Sequence, residues 1–259
     1  MTVMFVHGMP MTSALWQQVI DHVDRDDVVA LDLPGFREPP PAGWTGTKDD
    51  YVAWLIEQIE AEHARTGPVH IVGHDWGCLL VLRAASLRPE LLRSVAAGNG
   101  PIDPRWPLHG VWRVWNQEGA GERWMEQLDP ESFTSVLLMS GMPEDVARTH
   151  SWQHAWNREI TLTLYRSATN IGQEWADDLA NIVVPSMLIW GERDLIVSVE
   201  FGRRMATRMG AELVTLDANH FWPAEQPAAA AAALQRLWAR AELMPETILT
   251  QSIPEFSSD

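Results

Sequence analysis

Short, mainly apolar runs separated by stretches of helical periodicity organise this chain. Val3-Met4-Phe5-Val6, Val28-Val29-Ala30-Leu31, Val69-His70-Ile71-Val72, Arg93 to Ala97, Ser186-Met187-Leu188-Ile189-Trp190 and Glu212 to Leu216 each read as a strand. Between them the period changes to that of a helix. One is expected after a cap near Thr12 or Ser13, with Leu15, Trp16, Val19 and Ile20 on one face. Another runs from Asp49 to His63, with Tyr51, Leu55 and Ile59 at helical spacing. Cys78 to Ala85, Glu200 to Met209 and Glu225 to about Leu243 complete the helices, the last carrying the strong helix-forming run Ala228 to Ala233. Pro39-Pro40-Pro41 is loop, and the residues from Met244 onward are polar with two prolines.

Strands alternating with helices predict a mostly parallel sheet of about six strands covered on both faces. From about Pro101 to Asp178 strand signals vanish, and helical stretches rich in tryptophan and methionine replace them. This divides the chain into a core of residues 1–100 and 178–259 and an inserted helical cap of 101–177. A lid of this kind belongs over the carboxyl ends of the strands, where open α/β sheets hold ligands.

Composition narrows the function classes. The formal charge is −16, from 35 acidic and 19 basic residues, a field that repels nucleic acid and anionic membrane. The single cysteine, Cys78, reads as a small buried apolar side chain and permits no disulfide framework, which fits a reducing, cytoplasmic setting. Met1 to Val6 is already strand-like with no targeting pattern, and no apolar run is long enough to span a bilayer. No glycine loop for phosphate and no metal-ligand spacing is present, so neither cofactor nor metal is expected.

The chemistry concentrates in Gly73-His74-Asp75-Trp76-Gly77, between a buried strand and a helix. Strand, tight turn and helix form a nucleophile elbow, and the two glycines relieve the crowding of a sharp turn. The exposed position holds an aspartate rather than a serine. A carboxylate can attack an electrophilic carbon and form an alkyl-enzyme ester. The competing reading of Asp75 is a helix N-cap. Of nine histidines, His220 is selected by its position after the last strand, as a base that takes a proton from water.

Four ordered motifs, His7-Gly8-Met9-Pro10, the Asp75 elbow, Trp190-Gly191-Glu192-Arg193-Asp194, and Asn219-His220-Phe221-Trp222-Pro223-Ala224-Glu225-Gln226-Pro227, resemble the α/β-hydrolase fold in its epoxide hydrolase and haloalkane dehalogenase branch. The resemblance implies Asp75 as nucleophile, His220 as base and Asp194, rather than Glu192, as the acid that orients the imidazole. It implies an oxyanion hole from the backbone amides of Met9 and Trp76, and a cis peptide before Pro10. The family's opening antiparallel hairpin is missing, because the first strand runs straight into the His-Gly pair. Val28 to Leu31 then becomes an exposed edge unless covered, which leaves room for a homodimer contact there.

Two sub-branches remain open. Epoxide hydrolases protonate the opened oxygen from two cap residues, the second within a Tyr-Arg pair, and Tyr165-Arg166 stands at that place. Tyr51, the other tyrosine, lies in a core helix outside the cap; some relatives of this family use histidine as the first donor, which makes His109 a candidate, with His150 and His154 behind it. Haloalkane dehalogenases hold the departing halide with two donors. Trp76 qualifies as one, but the usual asparagine after the His-Gly pair is Met9 here. Trp106, Trp112, Trp115, Trp124, Trp152 and Trp156 are the candidate replacements, or else simply line an apolar pocket. Fluoroacetate-type dehalogenases carry an arginine after the nucleophile, and Trp76 argues against them. The expected activity is therefore epoxide hydrolysis to a vicinal diol on a hydrophobic, bulky or aromatic small molecule. Haloalkane dehalogenation, or ligand binding without catalysis on the same fold, are the alternatives.

Overall fold

The computed structural model describes residues 1–108, 110–150 and 158–245. Six strands, β1 (Val3–Val6), β2 (Val28–Leu31), β3 (Val69–His74), β4 (Leu92–Gly98), β5 (Ser186–Gly191) and β6 (Glu212–Leu216), form one sheet in the order β2-β1-β3-β4-β5-β6. Every pairing is parallel. The chain first steps to one side, from β1 to β2, and then to the other, from β1's opposite edge at β3 onward. The order thus reverses between β1 and β3, and the crevice outside their carboxyl ends is where such sheets bind ligands.

Strand side chains alternate between two apolar layers, as a sheet buried on both faces requires. Val3, Phe5, Val72, Ala96, Met187 and Ile189 face one layer. There α1 (Gln17–Ile20) and the last helix supply Val19, Leu234, Leu237 and Trp238. Met4, Val6, Ile71, Val95, Ala97 and Leu188 face the other. That layer is filled by Tyr51, Leu55 and Ile59 of α2 (Lys48–Thr66), by α3 (Trp76–Leu87) and by the helix before β6. β2 is an edge strand and only half-buried, in keeping with the expected edge.

Between β4 and β5 the described residues hold α4 (Gly110–Trp115), α5 (Ala120–Gln127), α6 (Pro130–Met139), α7 (Glu144–His150), α8 (Arg158–Ser167) and α9 (Ile171–Trp175), with no strand among them. After β5 come α10 (Val199–Met209), α11 (Trp222–Glu225) and α12 (Pro227–Glu242). A third apolar cluster, including Met11, Leu15, Phe133, Leu137 and Phe221, seams α6 to the core.

Three local expectations are corrected. Thr12 makes no side-chain cap. Instead Asp32, after β2, accepts from the Ser13 N–H at 2.8 Å and its hydroxyl at 3.0 Å, a long-range cap that local sequence does not announce. The helix expected at Asp49 begins one residue earlier, because Thr47 and Asp50 form a capping box. The helix expected from Glu225 is two helices, since Pro227 has no N–H to continue the first and begins the second. Among the described residues no helix is long and apolar enough to cross a membrane.

Candidate active site

Asp75, Asp194 and His220 follow the carboxyl ends of β3, β5 and β6, and the fold brings them together. Asp75 sits at the bend between β3 and α3 with φ 56° and ψ −119°, a conformation rarely adopted by residues with a side chain. The turn is held from both sides: the Asp75 N–H donates to Gly98 O at 3.0 Å, and its carbonyl accepts from Cys78 N–H at 3.0 Å. Gly77 allows β1 to pass behind, because a Cβ there would stand 2.2 Å from Val6 O.

The Asp75 side chain does not cap α3. Its Oδ1 accepts the backbone N–H of Met9 at 2.7 Å, and Oδ2 faces His220 Nε2 at 3.5 Å. Gly8 makes the first contact possible, since a Cβ there would lie 2.3 Å from Oδ1. The Met9–Pro10 peptide is cis. The Trp76 amide begins α3, among the helix N–H groups that have no partner within the helix.

His220 Nδ1–H donates to Asp194 Oδ2 at 2.8 Å. Burial alone would lower the imidazole pKa. The charge of Asp194 and its hydrogen bond, then Asp75, overcome that and raise it to about 10. Burial likewise opposes the Asp194 carboxylate, but His220, the Val197 amide and Asn99 hold its pKa below the ordinary value. Its Oδ1 accepts the N–H groups of Ile196 at 2.7 Å and Val197 at 3.0 Å.

Two residues of this network were missed from sequence. Asn99 directly follows β4 in the left-handed region, φ 57°, and its carboxamide donates to Asp194 Oδ2 at 2.5 Å. Its place between two glycines was the available signal, because asparagine is among the side-chain-bearing residues that tolerate such a backbone. His74 is fully buried, and its Nε2–H donates to His220 O at 2.8 Å. Burial, then the His220 charge, lowers its pKa to about 4, so it is neutral. His7 accepts the Leu33 N–H at 3.0 Å and ties the loop after β2 to the His-Gly turn.

A cavity of about 360 Å³ opens over Asp75 and His220. Its walls are mostly apolar, with Met9, Trp115, Met125, Phe133 and Leu137 among them. Leu195 and Val136 also line it and are 88% and 40% exposed, so both reach the surface. Tyr165 of α8 adjoins it, held edge-on by Trp76, Trp112 and Trp115 at ring separations of 5.2, 4.7 and 4.5 Å. Burial, then the Asp75 charge, pushes the phenol pKa far above its ordinary value against a smaller pull from the Trp76 indole, so Tyr165 stays neutral. Arg166 turns to α4 and α5, donating to Trp115 O at 2.9 Å and pairing with Glu122 at 2.8 Å. The Trp112 indole is spent on Tyr165 O at 3.0 Å. Trp124 lines the cavity, and Trp106 a smaller void beside Asp75. Tyr51 is in α2, bonded to Pro34 O at 2.7 Å. His109, His154, Trp152, Trp156 and the His150 side chain lie outside the described residues. Among the described residues no His, Cys, Asp and Glu group could hold a metal.

Comparison with known proteins places these features in context. The sequence profile described as "Alpha/beta hydrolase family" matches residues 3–234. An (E)-2-((N-methylformamido)methylene)succinate hydrolase of Acinetobacter baylyi is 24% identical, covering 83% of this chain and 81% of its own. A haloalkane dehalogenase of Bradyrhizobium diazoefficiens is 26% identical over 84% of this chain and 82% of its own. Among solved structures, the haloalkane dehalogenase DbeA of Bradyrhizobium elkani superposes with a TM-score of 0.77 at 22% identity, covering 93% of this chain and 90% of its own. A thermophilic esterase of Thermogutta terrifontis gives the same TM-score at 18% identity and the same coverage. These proteins share the fold, while the activities in their names differ.

Proposed function

The chain belongs to the α/β-hydrolase family, and we propose that it is a hydrolase working through an ester on Asp75, converting an epoxide to a vicinal diol. The observation that carries this reading is the aim of the Asp75 carboxylate. One oxygen is held by an amide, the other is turned toward His220, and an apolar cavity lies in front.

Asp75 Oδ2 attacks a ring carbon, the carbon–oxygen bond breaks, and the released oxygen takes a proton from Tyr165. A neutral phenol suits this step, because an alkoxide is far more basic than phenolate. The new ester carries no charge, so His220 loses one of the two anions that hold its proton. That proton replaces the one Tyr165 gave up, and neutral His220 then takes a proton from water. Hydroxide adds to the ester carbonyl while the amides of Met9 and Trp76 stabilise the oxyanion. Collapse frees the second diol oxygen, which leaves with the proton of the added hydroxyl. Asp75 is again a carboxylate and His220 again a cation. Asp194, kept ionised by Asn99 and two amides, orients the imidazole throughout.

Haloalkane dehalogenation is the second reading, favoured by Trp76, which follows Asp75 and lines a small void with it, and by the dehalogenases among the similar proteins. It requires a second side-chain N–H for halide, and Met9 supplies none. Assaying one preparation for diol from styrene oxide and for bromide from a bromoalkane separates the two. Diol formation that is lost in Tyr165→Phe supports the epoxide reading. Bromide release without diol overturns it.

A further inference from the structure

Two polar groups on the cavity wall are left without protein partners. Thr161 lies on α8, one turn before Tyr165, and is 1% exposed. Its hydroxyl makes no hydrogen bond within the protein. The indole N–H of Trp115 is equally buried and unpaired. Both residues line the cavity, and the Trp115 ring packs edge-on against Tyr165. The unpaired indoles of Trp16, Trp44, Trp222 and Trp238 differ, because none of them lines this cavity. A buried donor left unsatisfied is costly, and the apolar Met125, Leu128, Phe133 and Leu137 of the same wall offer it nothing.

We propose that Thr161 and Trp115 form a polar subsite that takes a hydrogen-bond-accepting oxygen of the substrate, remote from the carbon that Asp75 attacks. The inference rests on the reading of this cavity as the substrate site. Side chains four residues apart on a helix stand about 5–6 Å apart. That is the separation of their Cβ atoms, and we take an acceptor roughly four or five bonds from the oxygen at Tyr165 as the spacing to test. The substrate class is an apolar epoxide carrying a carbonyl or similar acceptor at that distance. The hydroxyl and the indole N–H both donate to it, and the hydrocarbon remainder fills the apolar wall.

The test is a ratio. Epoxyhexanone, with its ketone on the third carbon beyond the ring, is compared with epoxyhexane by kcat/KM. The ketone should be preferred by the unaltered protein. Thr161→Val and Trp115→Phe should each lower that preference by ~3–10-fold, the loss of one neutral hydrogen bond. Thr161→Ser, which keeps the hydroxyl, should restore it. Thr161→Val removes an orphaned group, so its melting temperature should not fall. A preference that is absent, or unchanged in both variants, overturns the subsite. Should neither epoxide be consumed, the reaction assigned above fails, and the subsite is judged by binding alone. Unreactive hexanone should then quench tryptophan fluorescence at ~3–10-fold lower concentration with the unaltered protein than with Thr161→Val. Equal affinity overturns it.

Discussion

Each end of the sheet holds a histidine bonded to an acid, and the two ends behave in opposite ways. At the carboxyl end, His220 donates to Asp194 at 2.8 Å and faces Asp75. At the amino end, His70 in β3 donates to Glu242 at 3.2 Å and accepts from the Ser94 hydroxyl at 2.7 Å. On paper the second set, serine, histidine and acid, looks like a hydrolytic triad. Its charge neighbourhood is the reverse. Burial, then the positive charge of Arg25, drives the His70 pKa down to about 4, and Glu242 is itself shared with Arg25 at 2.6 Å. His220 has two anions to itself and rises to about 10. Access differs as well: Ser94 is fully buried in β4, whereas Asp75 borders a cavity. The amino-end set latches α12 to the sheet; residue types alone do not make a site.

The contrast breaks most sharply by substitution of the oxygen-bearing side chain beside each histidine, Asp75 and Ser94. Asp75→Ala should lower turnover at least ~10³-fold, while Ser94→Ala should leave it within about twofold and cost ~1 kcal/mol in urea unfolding. If Ser94→Ala abolishes turnover, the comparison is wrong. Next in size is His220→Gln, expected to lose ~10²–10⁴-fold in turnover. Intact mass spectrometry should then show substrate covalently attached at Asp75. Continued consumption of substrate with an unmodified mass would rule out the ester. Asn99→Ala frees Asp194 from a charged hydrogen bond and should reduce kcat by ~10-fold, with ~1–3 kcal/mol lost in stability.

The pH dependence of stability sharpens the comparison without touching turnover. His220 is raised when folded, so its contribution is complete below about pH 6.5 and fades as pH rises toward 10. His70 and His74 are lowered, so their contribution is present above about 6.5 and is lost as pH falls toward 4. Urea unfolding across this range should show both limbs. His220→Gln should flatten the alkaline one. His70→Gln should flatten part of the acid one, by ~1–3 kcal/mol; equal slopes in both proteins would show that the two histidines are not opposed.

The sheet was readable because its four inner strands are buried on both faces and leave apolar runs, and the half-buried edge strands β2 and β6 still carry enough valine and leucine to show. The elbow was readable because Gly77 and Gly8 are forced by backbone and carboxylate contacts within a short motif. What stayed hidden depends on contacts between distant segments. Asn99 meets Asp194 across two strand ends, Asp32 caps a helix from another loop, and His74 supports the His220 turn through its backbone. The Thr161 hydroxyl and Trp115 indole were invisible for a different reason: periodicity places them on a buried face, and only packing tells which buried polar atoms find no partner.

Leu195, directly after Asp194, stands almost wholly in water while also forming part of the cavity wall. An oily molecule arriving there sheds its hydration in two stages, first against this doorpost and then inside. On the proposed reaction the product is a diol, whose two hydroxyl groups bulk water solvates better than leucine can. The same lip would then hold the apolar epoxide longer than the diol, while hydrolysis itself sets the direction.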